Sequence, residues 1–195
     1  MISCILLTAG ESSRFGSPKA LCTIDGQKAI ELLQQRLIQS TVDEIIIVTG
    51  HQEELIKPHV LNHSKVKLVH HKDYKFGQTS SFQTGLNSVD KSSFGFMLLP
   101  VDCPFIQTST INAIIHQFCL RLPEILIPSY LDKRGHPPVF HTHLKQEILE
   151  LPTNLGLNSL IAKHAVSLIP LNDPGITQTF NTPGELALLL NKKAL

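Results

Sequence analysis

The feature that most constrains the fold is a regular alternation of short apolar segments with longer amphipathic ones. The first apolar segment spans residues 2–8 (ISCILLT), and comparable segments follow at 44–49, 66–70, 94–100 and 125–127. Segments that are apolar throughout, rather than at every second residue, predict strands covered on both faces. Amphipathic patterns separate them, and we expect helices over residues 28–40, 51–61, 79–89 and 109–121. This alternation favours an α/β fold with a mostly parallel sheet and helices on both faces.

The pattern is less regular after residue 130. We expect a strand at 137–140, helices at 144–151 and 156–163, and short strands at 166–170 and 176–180. The sequence Thr182-Pro183-Gly184-Glu185 predicts a final helix with Thr as its cap, Pro at its first position and Glu completing a capping box. No repeat or linker interrupts the chain, so residues 1–195 are expected to form one domain.

Charge and cysteine content narrow the possible partners and compartment. The net charge is +1, which predicts neither nucleic acid nor a membrane surface as a partner. The four cysteines are scattered without a C-x-x-C pair, as is usual in a reducing cytoplasm. The first apolar run is too short to span a bilayer and has no basic residues before it, so we expect a cytoplasmic protein.

Four polar stretches lie at or near predicted strand ends, at residues 8–19, 77–81, 102–104 and 181–182. In open α/β sheets, ligands bind beyond the carboxyl ends of the strands. The four stretches are therefore expected to converge on one ligand site.

The first of these stretches, TAGESSRFGSPK, has the composition of a phosphate-binding loop. Gly10 and Gly16 lie six residues apart with no glycine between them, which excludes the dinucleotide fingerprint, and Ser17-Pro18 before Lys19 excludes the P-loop. Backbone N–H groups and hydroxyls would still bind phosphate oxygens, together with Arg14 and Lys19. A strand-to-helix turn with two solvated cations would explain the same composition. The candidate nucleotide-binding residues of the loop are Thr8, Ala9, Gly10, Glu11, Ser12, Ser13, Arg14 and Lys19.

The order of residues in TAGESSRFGSPKAL resembles the signature L-A-A-G-x-S-x-R-F/M-G-x-P-K of the MobA-like nucleotidyltransferases. The similarity is greatest to MocA-type molybdenum cofactor cytidylyltransferases. Thr8 stands where that signature has Ala, and the guanylyltransferase branch typically has a second glycine at the position of Ala9. The resemblance implies a three-layer α/β/α sandwich with a Rossmann-like sheet, of the nucleotide-diphospho-sugar transferase type. It also implies a nucleotide-binding half over residues 1–104 and an acceptor-binding half over 105–195.

The stretch Gly77-Gln78-Thr79-Ser80-Ser81 precedes a predicted helix. A serine-capped helix would be the purely structural explanation, although helix N-termini also offer free N–H groups to ligands. The stretch resembles the G-x-S/T-S-S-L-x-x-G-L element of the MocA type, which lies against the base and ribose of the nucleotide. By this resemblance Gly77, Ser80 and Ser81 are candidate nucleotide-binding residues.

Two residues are candidates for binding a metal ion. Asp102 follows an apolar strand, where a carboxylate could hold the Mg²⁺ that accompanies a triphosphate, or could simply cap a turn. It lies in a D-x-P triplet that resembles the metal-binding D-M-P of the family. Asn181 precedes Thr182-Pro183, where the family places a second metal ligand, commonly Asp. The family's usual acidic pair is absent, because Thr179 occupies the other position.

Histidines supply one further candidate. Arg134-Gly135-His136-Pro137 resembles the G-H-P element of the family, which implies that His136 contacts the acceptor, although a His in such a turn can also be structural. His141 and His143 would share a strand face but have no third ligand at a suitable spacing for zinc. His70 and His71 would point to opposite faces, and these four are expected to be solvated.

Together these features predict an Mg²⁺-dependent nucleotidyltransferase that uses a phosphorylated acceptor, with Arg14, Lys19 and Asp102 as catalytic residues. The resemblance implies that the donor is CTP, so that CMP is the group transferred. The resemblance also implies molybdopterin or molybdenum cofactor as acceptor, and a molybdenum enzyme or its chaperone as the partner that receives the product. Residues 155–160 have no Arg where the family often has a G-x-R-like element. Alternatives are another nucleoside triphosphate or a sugar-phosphate acceptor, and an accessory nucleotide-binding protein without turnover. A dehydrogenase is disfavoured by the glycine spacing.

Overall fold

The computed structural model describes residues 1–193 of the chain. Its strands are β1 (Ile2–Leu7), β2 (Thr23–Ile24), β3 (Gln27–Lys28), β4 (Glu44–Thr49), β5 (Val66–His70), β6 (Gly95–Pro100), β7 (Ile125–Tyr130), β8 (Lys133–Arg134), β9 (Val139–His141) and β10 (Val166–Pro170). Its α-helices are α1 (Ala29–Ile38), α2 (Glu53–Ile56), α3 (Gln78–Asn87), α4 (Thr108–Arg121), α5 (Lys145–Glu150), α6 (Leu157–Ile161) and α7 (Pro183–Lys193).

The main sheet has the strand order β10-β7-β9-β6-β1-β4-β5, with β8 paired to β7. β1 lies between β4 and β6 and is parallel to both, with Ile5 opposite Ile46 and Leu98. β5 continues the parallel part beyond β4, and β10 pairs in parallel with β7. β9 is antiparallel to both β6 and β7, so it joins the two parallel groups. The expected mostly parallel sheet is confirmed.

Helices cover both faces of this sheet and give the expected three layers. One apolar core contains Cys4 and Leu6 of β1 with residues of α1, α4 and α7. The opposite core contains Ile5 and Leu7 with residues of α3, α5 and α6. Successive side chains of a strand point to opposite faces, and therefore a strand between two helix layers is apolar throughout. This explains the uninterrupted apolar sequence of β1.

Two predicted elements differ from the structure. The predicted helix at 51–61 is only the single turn α2 followed by a 3₁₀ turn over Lys57–His59, because Pro58 has no N–H to continue the helix. The predicted strand at 176–180 is wrong: a 3₁₀ turn spans Pro174–Thr177, and the Asp173 side chain accepts a hydrogen bond from Gly175 N.

The β2–β3 hairpin was not predicted, although the sequence contains its signal. Asp25 and Gly26 both have positive φ angles, 50° and 84°. Asp-Gly favours a tight hairpin turn with this conformation. Because the strands are only two residues each, no apolar alternation accompanies the turn.

The expectation that the histidines are solvated is wrong for His71, of which 7% is exposed. Its Nε2 lies 2.9 Å from Ser80 Oγ and its Nδ1 lies 2.9 Å from Thr84 Oγ1. Burial lowers the pKa of His71. His71 therefore links the end of β5 to α3. His141 and His143 do not share a strand face, since β9 ends at His141.

Candidate active site

A cavity of about 590 Å³ lies beyond the carboxyl ends of β1 and β6. The loop after β1, the residues before and within α3, the residues after β6, and Asn181 all line it. These are the four polar stretches of the sequence, and their expected convergence on one site is confirmed. Of the sequence candidates, the cavity wall includes Thr8, Ala9, Gly10, Glu11, Ser12, Ser13, Arg14, Lys19, Gly77, Ser81, Asp102 and Asn181.

The loop after β1 is shaped by a turn at Ser12. Ser12 has a φ of 52°, and its carbonyl accepts hydrogen bonds from Phe15 N and Gly16 N at 2.8 and 3.1 Å. Its hydroxyl accepts from Lys19 N at 3.2 Å. Lys19 then begins a 3₁₀ turn. Ser12 therefore fixes the backbone from which Lys19 reaches into the cavity.

Two loop residues behave differently from expectation. The Thr8 hydroxyl donates to Val48 O at 2.8 Å, so Thr8 ties β1 to β4 at the cavity wall instead of offering a free donor. Gly10 has no positive φ, and a Cβ at this position would meet no atom within 4 Å. Its lack of a side chain therefore keeps the cavity open and does not serve an unusual backbone conformation.

The polar centre of the cavity is the ammonium group of Lys19. Its Nζ lies 3.1 Å from Asp102 Oδ2 and 2.9 Å from Asn181 Oδ1. Arg14 Nη2 donates to the same Asn181 oxygen at 3.2 Å. The Lys19 and Asp102 side chains are 14% and 24% exposed. All four residues were predicted from the sequence to act together, and the structure brings them into direct contact.

The oxygens at this centre fit a hard divalent cation. A carboxylate oxygen of Asp102 and an amide oxygen of Asn181 face a common point, which a cationic group occupies. Mg²⁺ is bound by such oxygens and normally retains waters or substrate phosphates as further ligands. Within residues 1–193, no group of three His, Cys, Asp or Glu side chains could hold a metal ion by itself.

The loop that carries Asp102 is held from two sides. Arg36 of α1 donates through Nη1 to the carbonyls of Pro104 and Ile106, at 2.5 and 2.8 Å. On the other side, Gly175 packs so closely that a Cβ would lie 2.5 Å from Phe105 O. Asp173 holds the same region by accepting from Gln107 N at 3.0 Å. None of these supporting residues was predicted from the sequence.

Asn181 is positioned by its neighbours at the start of α7. Its N–H donates to Glu185 Oε2 at 2.6 Å, and Glu185 N donates to Thr182 Oγ1 at 3.2 Å. The expected capping interaction is present, but the Glu185 carboxylate reaches Asn181 instead of Thr182. The preceding Phe180 is fully buried, with its ring 5.5 Å from that of Phe15 and 5.9 Å from Lys19 Nζ. The segment just before α7 is thereby packed against the first loop.

Two adjacent serines, Ser80 and Ser81, follow the turn before α3, and the sequence predicts the same role for both. Gly77 has a φ of 96°, a conformation that requires glycine. The hydroxyls of Ser80 and Ser81 both donate to Gly77 O at 3.1 Å. Only Ser81 lines the cavity, while Ser80 lies against His71. The position of Ser80 therefore supports a structural role instead of the predicted ligand contact.

His136 lies outside the cavity wall. Its backbone N–H donates to Ile176 O at 2.8 Å, and the peptide bond to Pro137 is cis. Burial lowers the pKa of His136, while the nearby carboxylate of Asp102 raises it. Its buried Nδ1 has no hydrogen-bond partner among the described residues. The predicted contact of His136 with an acceptor stays a prediction.

Sequence reasoning missed several cavity residues. Tyr74, Lys75 and Gln78 line the wall beside Gly77, and the Y-K-F-G sequence that leads into α3 was the available signal. Gly50, behind two of the lining residues, was also missed: a Cβ there would lie 2.7 Å from the Tyr74 Cβ and 3.0 Å from the Ala9 Cβ. This close approach brings the loop after β4 against the first loop, where His51 N donates to Ala9 O at 3.1 Å.

The mostly parallel sheet, with helices on both sides, has the nucleotide-diphospho-sugar transferase fold. The signature sequence of the first loop and the cavity that it lines define the chain as a nucleotidyltransferase. The chain belongs to the MobA-like NTP transferase domain family, whose model matches residues 4–168. This confirms the family inferred from TAGESSRFGSPKAL. Among the described residues, no helix is long and apolar enough to span a membrane.

Individual relatives agree with this assignment. A protein of Natranaerobius thermophilus named probable molybdenum cofactor guanylyltransferase is 30% identical over 159 residues, covering 76% of this chain and 72% of that one. The crystal structure of Rv0371c from Mycobacterium tuberculosis H37Rv has a TM-score of 0.85 at 22% identity, with 97% of each chain covered. A manganese complex of Rv0371c has a TM-score of 0.82 at 22% identity, covering 97% of this chain and 98% of that one. These two structures show the shared fold.

Proposed function

We propose that this protein transfers the CMP group of CTP to a phosphorylated small-molecule acceptor and releases pyrophosphate. The observation that carries the proposal is the contact of Lys19 Nζ with Asp102 Oδ2 and Asn181 Oδ1 in a cavity lined by the signature loop. A phosphate oxygen of the acceptor forms a bond to the α-phosphorus, the bond from that phosphorus to the bridging oxygen breaks, and pyrophosphate leaves.

The acceptor can supply its own ionised nucleophile. A phosphate monoester loses its second proton with a pKa of about 6, so the attacking oxygen is largely deprotonated at neutral pH. A general base is then unnecessary, and the protein must instead offset the negative charge that accumulates around the α-phosphorus. Groups that do this are fixed donors and cations aimed at the reacting phosphates.

The residues of the cavity divide this task. The backbone N–H groups of residues 10–13 and the cations of Arg14 and Lys19 would bind the triphosphate. Gly77, Gln78 and Ser81 form the part of the wall that would contact ribose and base. In this proposal residues 1–104 form the nucleotide-binding half and residues 105–195 the acceptor-binding half.

Asp102 and Asn181 would hold Mg²⁺. When bound, the ion would neutralise phosphate oxygens and withdraw electron density from the reacting phosphorus. Because Asn181 contributes no charge, Asp102 is the only anionic residue of the pair. The Rv0371c structure with manganese is compatible with a divalent ion in this fold.

The donor base and the acceptor are the finer parts of the proposal. Ala9 favours CTP, since the guanylyltransferase branch typically has glycine at this position. The curated relative is named a guanylyltransferase, so GTP is the competing donor. The name of that relative includes the molybdenum cofactor, and we propose molybdopterin or molybdenum cofactor as acceptor, with His136 near its phosphate. A cytoplasmic location and delivery to a molybdenum enzyme or its chaperone complete the proposal.

Pyrophosphate release with each of the four nucleoside triphosphates, Mg²⁺ and molybdopterin tests this function. We expect release with CTP, and a loss of about 100-fold or more in kcat for Asp102→Asn, the scale seen when one electrostatic contact is removed. Asp132→Asn is a matched control, because Asp132 is exposed and lies outside this cavity wall. Release with GTP alone would reassign the donor base. Full activity of Asp102→Asn would contradict the proposed role of the carboxylate.

One observation favours a second candidate, an accessory protein that binds nucleotide without turnover. Asn181 stands where a charged ligand is common in the MocA type, which weakens the metal site. Under this alternative a nucleoside triphosphate would stabilise the protein against heat, by about 2.7 kcal/mol at 100 times its dissociation constant. No acceptor would give pyrophosphate release, and Asn181→Asp would restore it.

A further inference from the structure

The Lys19 ammonium group occupies the point toward which the two proposed metal ligands face. Its Nζ lies within 3.1 Å of Asp102 Oδ2 and 2.9 Å of Asn181 Oδ1. Both side chains of the Lys19–Asp102 ion pair are mostly buried, 14% and 24% exposed. Lys19 is therefore the counter-ion of Asp102 in this structure.

A divalent cation and the ammonium group compete for this place. Asn181 Oδ1 already accepts hydrogen bonds from both Lys19 and Arg14. Two like charges at a distance of a few ångströms repel each other strongly where solvent screening is low. A metal ion that bound Asp102 and Asn181 would therefore have to displace the Lys19 side chain.

The surroundings allow this displacement without refolding the loop. The backbone of Lys19 is fixed by the Ser12 hydroxyl at its own N–H and by the 3₁₀ turn that it begins. Only the side chain, which extends over the Phe180 ring, connects Lys19 to Asp102. A lysine stem has four flexible bonds, so the ammonium group can move while the backbone stays in place.

We propose that Lys19 holds the metal site closed in the absence of nucleotide and exchanges its partner when the triphosphate enters. The polyphosphate gives Lys19 a new anion, and Asp102 and Asn181 become free for the divalent cation that accompanies the nucleotide. This inference rests on the proposed function. Its consequence is that metal and nucleotide favour each other's binding, while metal alone binds weakly because it must break the Lys19–Asp102 pair.

The test is Mn²⁺ binding without nucleotide, measured by the electron paramagnetic resonance signal of the free ion. Lys19→Gln removes the competing charge, and we expect it to tighten Mn²⁺ binding about tenfold, within the range usual for coupled ligands. Lys75→Gln is the matched control, since it removes the same charge from the same cavity wall. Adding Asp102→Asn to Lys19→Gln should abolish the gain. A thermal unfolding curve for each variant confirms that it is folded.

The outcomes distinguish a failure of the Lys19 exchange from a failure of the proposed function. Mn²⁺ binding by Lys19→Gln that equals or falls below that of the wild type would overturn the exchange. Equal gains from Lys19→Gln and Lys75→Gln would also overturn it, because general charge would then explain the effect. Mn²⁺ binding to the wild type with a non-reacting CTP analogue is measured in parallel. If no Mn²⁺ bound in the presence of the CTP analogue, metal-dependent transfer itself would be contradicted. The comparison of Lys19→Gln with the wild type uses no nucleotide, so its result does not depend on that measurement.

Discussion

Arg36 provides the sharpest prediction about how the fold supports the site, because it touches no proposed ligand. Its guanidinium is half-buried and donates to the carbonyls of Pro104 and Ile106, which lie two and four residues after Asp102. Arg36→Met keeps most of the apolar stem but leaves both carbonyls without this donor. Both bonds come from the single nitrogen Nη1, so Arg36→Lys keeps the charge and a donor group but shortens the stem that carries it.

The magnitude follows from these two bonds. A hydrogen bond from a charged donor contributes about 1.5–3 kcal/mol to stability, so two bonds set an upper bound of about 3–6 kcal/mol. Because the guanidinium keeps some contact with water, we expect Arg36→Met to lower the free energy of unfolding by about 2–4 kcal/mol. Arg36→Lys should lose less than Arg36→Met, because its ammonium group also has several donors but sits on a shorter stem and cannot take the position of Nη1.

The assays are urea unfolding and pyrophosphate release at a temperature where both variants remain folded. A displacement of about 1 Å at a reacting group can cost about 100-fold in rate, so Arg36→Met should lose roughly 10- to 100-fold in kcat. The KM for CTP should change little, because the nucleotide-binding loop is untouched. Unchanged unfolding free energy would refute the structural reasoning. Normal kcat in a destabilised variant would refute the link between Arg36 and Asp102.

Three further predictions concern glycines and a histidine. Gly10→Ala should leave the protein as stable as the wild type or about 0.5 kcal/mol more stable, because its φ is compatible with Ala, yet weaken CTP binding by filling the cavity. Gly77→Ala should instead lower the free energy of unfolding, measured in urea, by about 1–3 kcal/mol, because its φ of 96° is strained for any residue with a side chain. Equal stability of the Gly10→Ala and Gly77→Ala variants would contradict this contrast. The folded-state pKa of His136 is lowered, so the unfolded chain binds its proton first. Stability should therefore fall as the pH drops below about 6.5, the unfolded-state pKa. His136→Gln should make this loss of stability smaller. If the pH dependence of stability were the same in the variant, His136 would be excluded as the cause of the loss.

Local patterns predicted most of the architecture. The apolar runs of β1, β4 and β6 require cover on both faces, and this requirement alone favours a sheet between two helix layers. Pattern reasoning failed where elements were short or where a side chain interrupted them. Pro58 cut the helix predicted at 51–61, and the two-residue strands around Asp25-Gly26 offered no periodicity. In each case a local chemical signal was present, Pro58 in the first and Asp25-Gly26 in the second, but the reasoning relied on apolar periodicity.

The sequence also determined which residue types stand at the strand ends, and therefore the chemistry of the site. The glycine, hydroxyl and cationic residues of the first loop and the Asp102 carboxylate are features of composition and order, and the family signature could be read from them directly. A ligand site at the carboxyl edge of the sheet follows from the parallel arrangement itself. These conclusions need no knowledge of which side chains touch.

Only the tertiary structure decided which groups meet. Lys19 contacts Asp102 across 83 residues and Asn181 across 162, and no local periodicity extends over such separations. Packing likewise turned the Ser80 hydroxyl toward His71, used the Thr8 hydroxyl to tie two strands, and placed Arg36 beneath the Asp102 loop. Hydrogen-bond partners are chosen by distances of a few tenths of an ångström, which arise when all layers pack together and are not encoded within any one segment.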